Sequence, residues 1–263
     1  MLDGVMLLWF ILTAVSVVFV AIDIRNTPES VVLKWGFILL TLYTGPFGAF
    51  LYALGCREPL PGLHERYVDV TWRQVLGSTM HCVAGDGVGI LVGAVIGSVL
   101  SLALLADIAL EYVLGFGFGW TIFQALFMKD TAGGSYSKAL KNTFIPELLS
   151  MNCLMAAMVP VSSIWKSQVP GSESPLSPAF WFIMSMALLT GFIAAYPMNW
   201  WLVTNHLKHG MMTVRPEKEA AKQESGKSKA MNMEKPSSNE IAIMTVLSFI
   251  ILAAGIAIAL IFS

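Results

Sequence analysis

GSTMHCVAGDGVGILVGAVIGSVLS, residues Gly77 to Ser101, decides how this chain folds. The stretch is long and apolar enough to cross a bilayer, which takes about 20 residues. Yet it carries His81, Cys82 and Asp86 inside the crossing. Gly77, His81, Gly85, Gly89, Gly93, Gly97 and Ser101 recur every four residues and form one stripe on a helix. Glycines at that period let a neighbouring backbone approach closely, so the stripe predicts a packed central helix rather than a lipid-facing wall. An ionisable group at such a depth costs roughly 2.5 to 3.5 kcal/mol on insertion scales, and something must offset that cost.

The rest of the chain has the composition of a membrane protein. Hydrophobic residues make up 56% and charged residues 13%, and the mean hydropathy is +0.70. Soluble domains carry about 25% charged residues, so the composition predicts an all-α, polytopic membrane protein. A net charge of −1 gives no electrostatic reason to expect nucleic acid as a partner. Cys56, Cys82 and Cys153 have neither zinc-site nor secreted-scaffold spacing. The first apolar run has Asp3 where a cleaved signal would have basic residues, so it is expected to stay as a span.

Seven runs reach spanning length: 5–24, 33–54, 76–101, 104–128, 144–165, 179–205 and 240–262. Asp107 and Glu111 are expected to mark a tight turn between the third and fourth. Two N-terminal spans and a loop occupy 1–74, with a short interfacial helix one reading of 57–75. A four-helix core fills 75–212. A Glu-, Lys- and Ser-rich linker, 213–239, reads as disordered and cytoplasmic. The last span, 240–263, has the uniform apolarity of a lipid-facing helix. With seven spans, thirteen of the sixteen Lys and Arg residues fall in the even-numbered loops. The positive-inside rule then predicts an N-terminus inside and a C-terminus outside.

That topology brings polar residues of three spans to one layer. At 1.5 Å per residue His81 and Cys82 lie roughly 8 Å deep and Asp86 roughly 15 Å deep. Glu147, Met151, Asn152 and Met155 descend from the same side on the fifth span. Pro197 and Asn199 of the sixth reach the inner half, and His206 its edge. His81, Cys82 and Asp86 offer nitrogen, sulfur and oxygen donors, and Met151 and Met155 add the soft thioethers that suit Cu(I). Metal ligation by His81, Cys82, Asp86, Glu147, Met151 and Met155 is therefore one expectation. Against it stands a methionine stripe that only fills core gaps and a His81 bonded to a backbone carbonyl or to Asn199. Cys82 and Asp86 share a face expected to point at the fifth and sixth spans, whereas His81 lies about 100° away. Asn152, Pro197, Asn199 and His206 are candidates for a polar pathway or for helix packing, since interior proline frees a carbonyl. No nucleotide-binding loop, nucleophile elbow, HExxH or CxxC is present, so no enzymatic activity is expected.

Several runs resemble an uncharacterised family of bacterial and archaeal membrane proteins, catalogued only as a domain of unknown function, DUF4396. They are HCVAGDGVG (His81 to Gly89), GFGFGWTIFQALFMKDTAGGSY (Gly115 to Tyr136), PELLSMN (Pro146 to Asn152), FW (Phe180, Trp181) and AAYPMNWWLV with KHGM (Ala194 to Met211), covering about 75 to 214. The resemblance implies a bacterial or archaeal cytoplasmic (inner) membrane and an association with copper-handling proteins. It also implies that an acid carried by some relatives is replaced here by Ile90.

Three functions remain open on this reading. The first is binding, delivery or transport of a transition metal, with copper as cofactor or cargo and a copper-handling protein as partner. The second is a non-catalytic assembly protein with a structural polar core. The third is a proton-coupled transporter or channel with Asp86 titrating. Glycine stripes pack equally well within one chain or between two, so a homo-oligomer stays open as well.

Overall fold

The computed structural model describes residues 2–58, 60, 62–126, 134–212 and 236–262. Among them every regular element is helical. The helices are α1 (Leu2–Asp23), α2 (Val31–Thr44), α3 (Pro46–Gly55), α4 (His64–Val68), α5 (Thr71–Val99), α6 (Leu104–Phe118), α7 (Tyr136–Gln168), α8 (Pro178–Thr204) and α9 (Ser238–Phe262). A π-helical segment, Gly119–Leu126, continues α6. Six helices are long and apolar enough to cross a membrane: α1, α5, α6 with its continuation, α7, α8 and α9. The all-α polytopic architecture is the expected one; the number of crossings is not.

The difference lies in 33–54. Gly45 takes φ 59°, which ends α2, and Pro46 opens α3. Glycine adopts that backbone freely and proline is favoured at a helix start, so Gly-Pro punctuates an otherwise continuous apolar run. The chain then doubles back. A Cβ added at Gly48 would lie 2.4 Å from the Cα of Thr41. The open end of the hairpin also closes: Cys56 Sγ donates to Glu29 Oε1 at 3.9 Å, and the hydroxyls of Tyr52 and Thr27 lie 3.0 Å apart. Helices of 14 and 10 residues extend about 21 and 15 Å, short of a hydrocarbon layer of about 30 Å. The second expected span is therefore a hairpin that enters and leaves by one face. Its base is locked to α1 by the Arg57–Asp23 ion pair at 2.9 Å and by Tyr52 Oη donating to Asp23 Oδ2 at 2.7 Å.

This hairpin changes which residues share a face. α1 ends, α5 begins and α8 ends at one face of the bundle, and Arg25, Lys34, Arg57, Arg66, Arg73, Lys138, Lys141 and Lys208 all sit there. We call it the basic face. α4, at this face, matches the expected short helix within 57–75. Arg73 stacks beside it, its guanidinium carbon 3.5 Å from the Tyr67 ring centre and 4.4 Å from that of Trp72. Most of the expected linker, 213–235, lies outside the described residues.

α5 is the central helix. Its glycine stripe packs on the antiparallel α6: a Cβ at Gly89 would sit 2.1 Å from the Leu114 carbonyl oxygen, and one at Gly93 2.8 Å from the Glu111 Cα. The turn between them is Leu100–Ala103. Asp107 and Glu111, expected at the turn, lie instead inside α6 against Gly97 and Gly93. α9 is largely exposed, as its uniform apolarity suggested. It docks on α7 through Gly255, whose added Cβ would lie 2.2 Å from the Ala156 carbonyl oxygen, and through Ser248.

Candidate functional site

Four elements converge beneath the basic face: α5, the π-helical segment, α7 and the turn after α8. Cys82 Sγ is the hub. It donates to Glu147 Oε2 at 3.0 Å and accepts from Gln124 Nε2 at 2.8 Å and from the Lys208 ammonium. Lys208 Nζ also donates to Asn199 Oδ1 at 2.8 Å and lies 3.7 Å from Glu147 Oε2. Asn199 Nδ2 in turn donates to Ser150 Oγ at 2.8 Å and to the Ala195 carbonyl at 3.0 Å. All of these side chains are buried.

Lys208 reaches this position because of how α8 ends. His206 is left-handed, at φ 57°, with Leu207 N bonding the Leu202 carbonyl at 2.9 Å and His206 N the Val203 carbonyl at 3.1 Å. That is a Schellman motif, which reverses the chain at a helix end. It turns Lys208 back under α8 rather than out to water. Burial alone would favour the neutral amine, but Cys82 and Glu147 beside it outweigh burial, and the Lys208 pKa is raised. The ammonium is thus the form present at neutral pH.

Two carboxyls complete the site. Asp86 and Glu147 flank Gly119: a Cβ there would fall 1.9 Å from Asp86 Oδ1 and 2.6 Å from Glu147 Oε1. No hydrogen bond from a residue outside the pair reaches either oxygen of Asp86 or Glu147 Oε1, so the two carboxyls have only each other. π-Helical turns are frequent at functional sites, and this one sets Gln124 on Cys82 and the Phe123 carbonyl on His81.

The remaining expected site residues separate from this group. His81 Nε2 donates to the Phe123 carbonyl at 3.0 Å, which satisfies one ring nitrogen, and Nδ1 is unpartnered. Met151 and Met155 are buried in the apolar core, Met151 with its methyl against Gly115. Pro197 is exposed, and His206, also exposed, is the helix cap described above. Asn152 accepts from Tyr112 Oη at 2.6 Å and donates to Ser248 Oγ at 3.0 Å, between α6 and α9. Cys82 and Asp86 share a face, as their helical spacing predicted; it meets Glu147 of α7 and the π-helical segment, and Cys82 also meets Lys208 beyond the end of α8.

Among the described residues no group of three or more His, Cys, Asp and Glu side chains is arranged to hold a metal ion. At Cys82 a lysine ammonium stands where a bound cation would be needed. Sequence reasoning passed over Lys208 by counting it as a loop charge. The one signal available was its place at the head of the KHGM run.

A second charged group lies further along the same helices, toward the opposite face. Lys166 of α7 stands 3.8 Å from Asp107 and 4.0 Å from Glu111 of α6. Glu111 and Gly119 are eight residues apart on one helical run, or about 12 Å. Tyr112 and Asn152 lie between them.

The model of one family, described as a domain of unknown function (DUF4396), matches residues 71–208, over half of the chain and from the start of α5 to Lys208. The chain belongs to DUF4396. No curated protein and no solved structure matches it. The DUF4396 segment contains every residue of the Cys82 group. It leaves outside α1, the α2–α3 hairpin and α9.

Proposed function

We propose that this DUF4396 protein is a proton-coupled membrane transporter, with Asp86 and Glu147 as the proton-carrying pair and Lys208 as their fixed counter-charge. The observation that carries the reading is the convergence of two buried carboxyls on Gly119, with three oxygens that take no hydrogen bond from any residue outside the pair. Two carboxyls against one ammonium become neutral when one of them holds a proton, and buried like charges oppose ionisation of both. Gaining or losing that proton changes the charge that Lys208 balances. Such a change would act on the turn that carries Lys208 and hence on the end of α8. The second carboxylate pair, about 12 Å further along α6, gives the proton a place to come from or go to.

In this reading the basic face is cytoplasmic, and both the start of α1 and the end of α9 are outside. Eight Lys and Arg residues sit at that face in the structure. Among the described residues Lys166 alone stands on the other side. That bias of eight to one reverses the orientation expected for α1.

Transition-metal handling has less support. Its soft donors are dispersed, Met151 and Met155 to the apolar core and Cys82 to Lys208 and Gln124. The deciding experiment is proton flux in proteoliposomes with an internal pH dye. Asp86→Asn and Glu147→Gln should each abolish flux driven by an imposed pH gradient while the protein stays folded. Flux unchanged in both variants would overturn the reading.

A further inference from the structure

We infer that the cavity between α5, α6 and α7 at the face opposite the basic one is a binding site for a small ammonium-type cation. The cavity measures about 370 Å³. Its wall is built from Asp107, Glu111, Glu173, Lys166 and five serines, among them Ser162 and Ser163. The inference rests on the transport reading only for what the site is used for, not for its existence.

Acceptors exceed donors in this cavity. Glu111 has a side chain only 4% exposed; Lys166 pairs with it from 4.0 Å, and Asp107 is a second acid beside it. Asp107 Oδ1 is buried without a hydrogen-bond partner, pressed toward Gly97. A buried carboxylate oxygen in this state is expensive to leave unpaired. Lys166 is the only cation lining the site, and it stands at 3.8 and 4.0 Å, beyond hydrogen-bond distance from either acid. It is drawn instead toward the Phe180 ring, 5.5 Å from the ring centre. Its ammonium shows the kind of group the cavity tolerates, held too loosely to satisfy the acids.

The lining also limits the ligand. It contains no Cys, Met or His, so soft and borderline metals find no donors there. Carboxylates and hydroxyls suit hard cations; Glu173 is exposed at the rim, and the two acids that face Lys166 leave a single negative charge, which a monovalent cation balances. A monovalent ammonium carries both the single charge and the N–H donors that Asp107 and Glu111 lack. Free ammonium compounds and the ethanolamine headgroup of a lipid share this chemistry.

The test uses the full chain in detergent and follows its thermal unfolding in methylammonium chloride, with tetramethylammonium chloride at equal ionic strength as control. Methylammonium should stabilise saturably and tetramethylammonium, which has no N–H, should not. Glu111→Gln should weaken the response about tenfold or more, and Lys166→Met should strengthen it about tenfold by removing the internal competitor. Asp86→Asn should leave it intact. Equal action of the two salts, or a weaker response in Lys166→Met, overturns the site even if Asp86-dependent flux persists. Flux unchanged in Asp86→Asn and Glu147→Gln, with methylammonium binding retained, would overturn only the transport reading. Nanodiscs with ethanolamine instead of choline headgroups distinguish the source: a methylammonium response masked by ethanolamine lipid marks the lipid as ligand, and an unmasked one marks a soluble amine.

Discussion

Lys208 donates its ammonium hydrogen to the sulfur of Cys82 although 126 residues separate them in the chain. The contact joins the turn after α8 to the middle of the central helix, and Glu147 of α7 shares both partners. A buried cation is thereby supplied by the chain itself. Of the polar cost noted in Gly77–Ser101, a lysine and a glutamine offset the share of Cys82 and a backbone carbonyl that of His81, and Asp86 is left facing Glu147.

Removing one side of this group should cost more than removing both. Lys208→Met leaves Glu147 buried without its charge partner, a loss of about 3 to 5 kcal/mol for a broken buried pair. The double variant Lys208→Met, Glu147→Gln should recover a large part of that. Unfolding midpoints of the four proteins in one detergent measure the cycle. Equal destabilisation of single and double variants would mean that Lys208 acts by packing alone.

His206 is expected to be replaceable. As the left-handed residue of the cap it stands where glycine is preferred, so His206→Gly should be neutral or stabilise by up to about 1 kcal/mol. His206→Val should destabilise by a similar amount or more, because β-branched residues resist that backbone. Proton flux in His206→Gly should match the unmodified protein, and a loss of flux would return His206 to the pathway.

Gly89→Leu should abolish folding. The added Cβ alone would lie 2.1 Å from the Leu114 carbonyl oxygen, a backbone atom that cannot move aside within a packed helix pair. Gly117→Ala is the control on the same interface's outer side, where nothing lies within 4 Å. Monodispersity after detergent extraction separates the two: the first should aggregate, the second should not.

The hairpin makes the topology testable at two positions. A single engineered cysteine at Leu60 should react with impermeant maleimide only from the inside, and one at Gly4, at the start of α1, only from the outside. Labelling of the two from the same side would restore seven crossings.

Much of the arrangement was legible from residues. The period-four glycines of α5 meet α6 as their spacing required, and the Cys82–Asp86 face points where helical geometry put it. The hairpin was not legible from hydropathy, because 33–54 is as apolar as a true span. What breaks it is a two-residue conformational signal, Gly45-Pro46, that a length criterion averages away. Lys208 was hidden for a different reason. Its role depends on a chain reversal at His206, a residue with no intrinsic preference for the left-handed region as strong as glycine's. Glu111 was misplaced because an acid among apolar residues reads as a turn until a glycine opposite gives it room.

The hairpin also bears on how the chain is made. Its tip depends on residues far along the chain: Gly45 is walled by Trp9 and Thr13 of α1, and the carbonyl of Tyr43 is capped by the hydroxyl of Ser185 in α8. A nascent chain that has not yet produced α8 lacks that cap. Its 33–54 run still offers the insertion machinery a length sufficient for a full crossing. The hairpin thus draws on a residue synthesised well after it as well as on α1 before it. Glycosylation-site mapping on chains truncated before Pro178 and after Thr204 should find the Leu60 loop on both sides of the membrane in the former and on one side in the latter.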